Sequence, residues 1–248
     1  MAVALSIVIP AFNEQERLGP TLKAVPRFLQ QRGLEFELLV VDDGSTDGTA
    51  DLVLDHAREE PRIRLEGYRP NRGKGFAVHT GFLAAAGERV LLCDADLATP
   101  IEELEVLERA VASGTDIAIG SRALPGSRLL ARQPRYRELG GKLLNWAIQR
   151  LLLPGIHDSQ CGFKLFRREP ARPCFERQQL CGFSYDVEVL FLARRLGLSI
   201  AELPVRWRHV PSTKVRPFRD GAGILADLFR IRWAASRGLY DRQPEVPA

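Results

Sequence analysis

No uninterrupted apolar stretch in the 248 residues approaches the roughly 18 needed to span a bilayer, so a membrane-crossing helix is excluded and surface attachment stays open. Met1-Ala-Val-Ala-Leu-Ser6 lacks a charged region and a cleavage site, so no signal peptide is expected. Cysteine is scarce. Cys93, Cys161, Cys174 and Cys181 are spaced for neither a zinc site nor a disulfide scaffold, and free thiols in a reducing cytoplasm are expected. There is no internal repeat and no low-complexity tract. The Walker A loop and the glycine-rich dinucleotide fingerprint are both missing, which sets aside P-loop kinases and dehydrogenases. Neither charge sign dominates: 35 Lys and Arg against 31 Asp and Glu leave a net charge of +4. With an isoelectric point near 9.0, that mild excess hints at small anionic partners, and no nucleic acid is expected. A chain 45% hydrophobic and 27% charged, of this length, can bury a full core as one large domain.

The most informative segment is Arg89-Val-Leu-Leu-Cys-Asp94-Ala-Asp96, an apolar run ending in two carboxylates. At a strand end the chain is turning, and both carboxylates can converge on one divalent cation carrying phosphates. An acidic turn would look similar. A second acidic strand end, Leu38-Leu-Val-Val-Asp42-Asp43-Gly44-Ser45, favours a site, because ligands in open α/β sheets bind outside the carboxyl ends of the strands. Asp42 and Asp43 can accept from a ribose hydroxyl or a base imide. Pro10-Ala-Phe-Asn13-Glu14 ends the first apolar run and faces the same crevice. Asn71-Arg-Gly-Lys74-Gly75 is a basic turn at a helix start, suited to phosphate. A phosphate-receiver domain also carries acidic pairs, but it is roughly half this length and does not use Asp-Ala-Asp.

The pattern predicts strands over 5–10, 36–41, 63–66, 90–93 and 116–119, alternating with helices over 13–31, 46–58, 74–86 and from Pro100. Asn13 and Glu16 read as a capping box, and Pro26 predicts a kink or break. Alternation at this pitch implies a mostly parallel sheet flanked by helices. Residues 123–134 read as a long loop. It belongs to a basic stretch holding Arg122, Arg128, Arg132, Arg135, Arg137 and Lys142 against the single acid Glu138. Beyond it, helices are predicted over 138–152, 185–196 and 221–237, with strand-like runs over 163–166 and 205–209. The last helix carries Leu225, Leu228, Phe229 and Arg232 at helical spacing, with Arg230 and Arg237 interleaved. That suits packing on the core, and an edge touching lipid is compatible with it.

Taken in order, Ser6-Ile-Val-Ile-Pro-Ala-Phe-Asn-Glu14, Val41-Asp-Asp-Gly-Ser-Thr-Asp47, Asn71-Arg-Gly-Lys-Gly75 and Asp94-Ala-Asp96 resemble an inverting family-2 glycosyltransferase of the GT-A fold. Gly120-Ser-Arg122, Asp158-Ser-Gln-Cys-Gly-Phe-Lys164 and Gly182-Phe-Ser-Tyr-Asp-Val-Glu188 resemble the polyprenyl-phosphate branch. The resemblance implies one Rossmann-like α/β domain over 1–238, with a nucleotide-binding half to about residue 121, a smaller acceptor-side half after it, and a tail over 239–248. It implies that Pro10, Ala11, Asn13, Glu14, Asp42 and Asp43 contact the nucleoside. Lys74 and Ala95 lie beside them. Asp94 and Asp96 hold Mg²⁺ or Mn²⁺ with the diphosphate. Arg122 faces an acceptor phosphate, with Arg128, Lys164 and Lys214 as further cations. Gln160 and Glu188 lie near the sugar. A sugar-hydroxyl acceptor would instead need Asp186 or Glu188 as a base. Mannosyl relatives carry Gln two residues after the second Asp, where this chain has Ala98, so UDP-glucose is expected over GDP-mannose as donor. The expected acceptor is a polyprenyl phosphate met peripherally on the cytoplasmic face of a membrane. The non-enzymatic alternative is a sugar-nucleotide sensor.

Overall fold

A computed structural model describes residues 3–131, 135–208 and 217–241. The amino-terminal half alternates as expected: β1 (Leu5–Ala11), α1 (Gln15–Gln31), β2 (Phe36–Asp42), α2 (Thr49–Glu59), β3 (Ile63–Gly67), α3 (Lys74–Ala84), β4 (Arg89–Leu92), a 3₁₀ turn at Ile101–Glu103, α4 (Leu104–Ala112) and β5 (Ile117–Ser121). There follow β6 (Arg128–Ala131), α5 (Arg135–Leu151), β7 (Lys164–Arg167), α6 (Arg168–Glu176), α7 (Tyr185–Arg195), β8 (Ile200–Pro204), β9 (Arg206–Arg208) and α8 (Pro217–Ser236).

Seven strands form one sheet in the order β3-β2-β1-β4-β7-β5-β8, drawing on both halves of the chain. All pairings are parallel except those of β7, which runs antiparallel to β4 and β5. The strands are apolar on both faces because helices cover both. Val8, Leu39, Val41, Val90 and Leu92 pack on the side of α3, α5, α6, α7 and α8. Ile7, Ile9, Leu38, Val40, Leu91 and Cys93 pack on the side of α1 and α4. Cys93 is buried, as its apolar run suggested.

Three local expectations are corrected. Asn13 does not cap α1; it adopts a left-handed φ of 53°, and its Oδ1 accepts from Thr46 N at 2.7 Å. The carboxamide therefore ties two loops together instead of satisfying a helix end. The helix α1 runs unbroken through Pro20 and Pro26, because Leu18, Leu22, Val25, Pro26 and Leu29 are all buried along it. Part of the expected loop over 123–134 is β6, which pairs with β9 in a separate two-stranded sheet.

Candidate active site

Four strand ends meet at one edge of the sheet. After β1, Asn13 N donates to Ser45 Oγ at 2.8 Å and Glu14 N to Thr49 Oγ1 at 2.7 Å, so the loops following β1 and β2 are laced together. Asp42 Oδ1 accepts from Ser45 N at 2.9 Å within that lacing. Ala11 is buried, and its carbonyl accepts from Asp43 N at 2.8 Å. Asp43 then organises the basic turn before α3: its carboxylate accepts from Arg72 N at 2.7 Å, Gly73 N at 2.9 Å and Asn71 Nδ2 at 2.8 Å. Gly73 sits at φ 101° against the Cys181 carbonyl, where a side chain would clash. The turn thereby aims Lys74 into the crevice.

Lys74 Nζ meets Asp94 Oδ1 at 2.6 Å. Desolvation works against its charge, but Asp94, Asp186 and Asp96 outweigh it and hold its pKa above the usual lysine value. On the other side, Arg17 grips Glu14 through Nε at 2.7 Å and Nη2 at 2.6 Å, and approaches Asp96 Oδ2 at 3.5 Å. Asp96 also accepts from Ala98 N at 3.1 Å, while Leu97 takes a left-handed φ of 46° to complete that turn. Thr21 Oγ1 donates to the Ala95 carbonyl at 2.6 Å, fixing the turn to α1. Burial first, then the neighbouring Asp94, push the Asp96 carboxyl above its ordinary pKa. Two partly open carboxylates that repel each other suit a cation. Among the described residues no cluster of three or more His, Cys, Asp or Glu is placed to hold a metal. Two protein ligands leave most of a six-ligand shell to phosphate oxygens and water, so the donor set fits a metal that arrives with a diphosphate.

The antiparallel β7 forms the floor. Gly162, just before it, lies so close to Asp94 that a methyl group there would overlap the carboxylate. Arg122, at the end of β5, makes a two-pronged contact with Asp158 through Nε and Nη2, both at 2.7 Å, and its backbone N–H adds a third bond at 2.8 Å. Its charge therefore stays firmly on despite desolvation, and its side chain remains 30% exposed beside the Trp207 ring. Gln160 is half-buried on the loop joining Asp158 to Gly162.

Residues 6–175 match the model of glycosyl transferase family 2. The chain belongs to that family. It is 35% identical over 250 residues to a dolichyl-phosphate beta-glucosyltransferase of Dictyostelium discoideum, covering 96% of this chain and 76% of the relative. To the human protein of that name it is 33% identical over 241 residues, covering 92% and 74%. Mannosyl-3-phosphoglycerate synthase from Rubrobacter xylanophilus superposes with a TM-score of 0.70 at 19% identity, over 99% of this chain and 78% of that one. Glucosyl-3-phosphoglycerate synthase from Mycobacterium tuberculosis, solved with Mn²⁺ and UDP-glucose, gives 0.66 at 21% identity over 93% and 78%. Those two establish the shared GT-A fold, and the sequence relatives establish a hexosyltransferase.

The transferase brings Pro10, Ala11, Asn13, Glu14, Asp42, Asp43, Lys74, Asp94, Ala95 and Asp96 to one edge, with Arg122 and Gln160 on the adjoining loops. Lys214 lies outside the described residues. Glu188 does not fit a sugar contact: it is fully buried, and its carboxylate accepts from Leu180 N at 2.8 Å, Gln179 N at 3.1 Å and Tyr240 Oη at 2.7 Å. It braces the segment against which Gly73 and Gly75 pack. Lys164 does not face an acceptor either, because it is buried against Asp186. Sequence reasoning missed Arg17, Thr21 and Asp158 as site residues. Arg17 was visible only as a cation one helical turn beyond Glu14.

Proposed function

We propose that this transferase moves glucose from UDP-glucose to a polyprenyl phosphate of the dolichyl type, with inversion at the anomeric carbon. The observation that carries it is the Asp94–Asp96 pair at the end of β4, flanked by Lys74 on the donor side and by the Arg122–Asp158 pair across the loop. The names of the relatives, dolichyl-phosphate beta-glucosyltransferases, support the sugar and the acceptor. Asp94 and Asp96 would hold Mg²⁺ or Mn²⁺, which supplies charge neutralisation to a departing diphosphate. Lys74, now paired with Asp94, would hold a diphosphate oxygen. The loops of Asn13, Glu14 and Asp43 would frame the nucleoside. Arg122 would orient the acceptor phosphate, which is largely dianionic at neutral pH with a second pKa of about 6 and needs no strong base. The two carboxylates able in principle to act as that base are buried, Asp186 paired with Lys164 and Glu188 bonded through both oxygens, which disfavours a sugar-hydroxyl acceptor.

Purified protein with UDP-glucose, Mg²⁺ or Mn²⁺ and a short-chain prenyl phosphate should release UDP and a prenyl phosphoglucose, and EDTA should abolish the product. Turnover with GDP-mannose instead, or a product only on a free sugar, overturns the donor or the acceptor assignment respectively. Arg122→Gln keeps an amide for Asp158 and removes the charge. Losing one charge-assisted hydrogen bond, about 1.5 kcal/mol, should raise the acceptor KM about tenfold and leave the donor KM nearly unchanged. A rise confined to the donor KM would place Arg122 on the other substrate.

A further inference from the structure

Large apolar side chains stand exposed on two helices that pack on each other. Leu143 and Trp146 project from α5, and Leu225, Phe229 and Trp233 from α8; Trp146, Phe229 and Trp233 are 61%, 63% and 56% exposed. In α8 the buried residues Ile224, Leu228, Ile231 and Ala234 line one side, so Leu225, Phe229 and Trp233 at i, i+4 and i+8 form a stripe on the opposite side. A helix already anchored through its inner face has no folding reason to be apolar on its outer one. Arg230 and Arg237 run along one edge of the stripe and Arg232 along the other. Arg232 Nη1 donates to the Leu151 carbonyl at 2.9 Å, joining the end of α5 to α8, and Arg237 lies 5.9 Å from the Trp233 ring. Lys142 and Arg150 flank Leu143 and Trp146 on α5. Among the described side chains of both helices the one carboxylate is Asp227, and it is turned inward to accept from Ser184 Oγ at 2.5 Å.

We propose that this α5–α8 face is the surface on which the protein docks to an anionic lipid bilayer. An apolar face carrying Trp146, Phe229 and Trp233, with cationic edges and no outward acid among the described side chains, matches a headgroup–acyl boundary, into which an amphipathic helix sinks about 5–10 Å. A second copy of the chain is a poorer occupant. A two-fold contact would bury the arginine edges against a face with no described outward carboxylate to pair them. No helix among the described residues is long and apolar enough to cross a membrane, so surface docking is the attachment this face offers. The docking gives the proposed prenyl acceptor a place to be met, and for that purpose alone it rests on the functional reading above.

The test is co-sedimentation of the full chain with phosphatidylcholine vesicles, with and without phosphatidylglycerol, in the absence of donor and acceptor. The wild type should pellet with anionic vesicles and be released by salt. Phe229→Glu with Trp233→Glu should lower the bound fraction at least about tenfold, and Leu143→Glu with Trp146→Glu should act alike. Arg230→Gln with Arg237→Gln should weaken anionic binding by about fivefold per arginine and leave neutral-vesicle binding unchanged. All six residues are exposed, so thermal melts should be little changed. A wild type that stays in the supernatant at low salt, or glutamate variants that bind as well, overturns the proposal. Self-association in sedimentation velocity that disappears in Phe229→Glu with Trp233→Glu would also overturn it and give the face to a second copy. Because no sugar transfer is read, failure of the transfer assay leaves this result standing.

Discussion

Asp96→Asn should lower kcat by about a thousandfold while the protein melts at an unchanged or slightly higher temperature. Charge neutralisation by a bound metal is worth several kcal/mol in a transition state, and each 1.36 kcal/mol is tenfold. The asparagine keeps an oxygen for the Ala98 N–H, and Arg17 keeps its paired contact with Glu14, so the turn retains its bonds. Stability should not fall, because the native Asp96 carboxyl is pushed up by burial and by Asp94. An acid raised in the folded state stabilises the fold only while protonated, and that contribution is lost as pH climbs through the folded value. Near neutrality the charged form is a cost that asparagine removes. Near-normal turnover would sink the metal assignment. A melt lowered by more than about 4 °C, which in a chain of this size corresponds to over 1 kcal/mol, would show the turn needs the carboxylate for folding.

The second large effect is expected beneath the site. Lys164→Met should destabilise the protein by about 3–5 kcal/mol, or roughly 10 °C, because Asp186 would be left buried without its partner. Adding Asp186→Leu should recover most of the loss, since an apolar pair of similar volume removes the orphaned charge. Burial already raises the Asp186 carboxyl against the pull of Lys164 and Lys74. Without Lys164 the folded-state value moves further above the unfolded one, so the deficit should be smaller near pH 5 than near pH 8. Melts of the single variant that lose equally at both pH values would mean that Asp186 is not left uncompensated, Lys74 serving as its counter-charge. A double variant no better than the single one would mean the loss is one of packing.

The strand-end carboxylates were legible because they follow apolar runs, and burial makes such runs unambiguous. Strand direction was not. Lys164–Arg167 is four residues long, and nothing in a short run says that it pairs antiparallel with β4 and β5. The β6 strand was invisible for a similar reason: its partner β9 lies far along the chain, and only tertiary contact makes Arg128–Ala131 extended. The same limit explains Lys164 and Glu188. A sequence shows a charge but not the buried partner that takes it out of solvent. Asn13 illustrates the converse, a residue whose local cue for capping lost to a cross-loop bond with Thr46. The helix α6 escaped notice because Arg168–Glu176 contains Pro173 and few apolar residues, although Ala171, Cys174 and Phe175 do share its buried side.

The placement of β7 also governs the order in which a growing chain can become this protein. Ribosomes deliver β4 and β5 well before Lys164–Arg167, yet in the finished sheet β7 separates them. Until that strand emerges, β4 presents an unpaired edge and Asp94 has no Gly162 beside it. A nascent chain stalled ahead of residue 164 would hold the β1–β4 strand ends without the strand that joins them to β5, with a bare edge open to neighbouring strands. The sheet that carries the site therefore cannot be complete before the reversed strand has emerged.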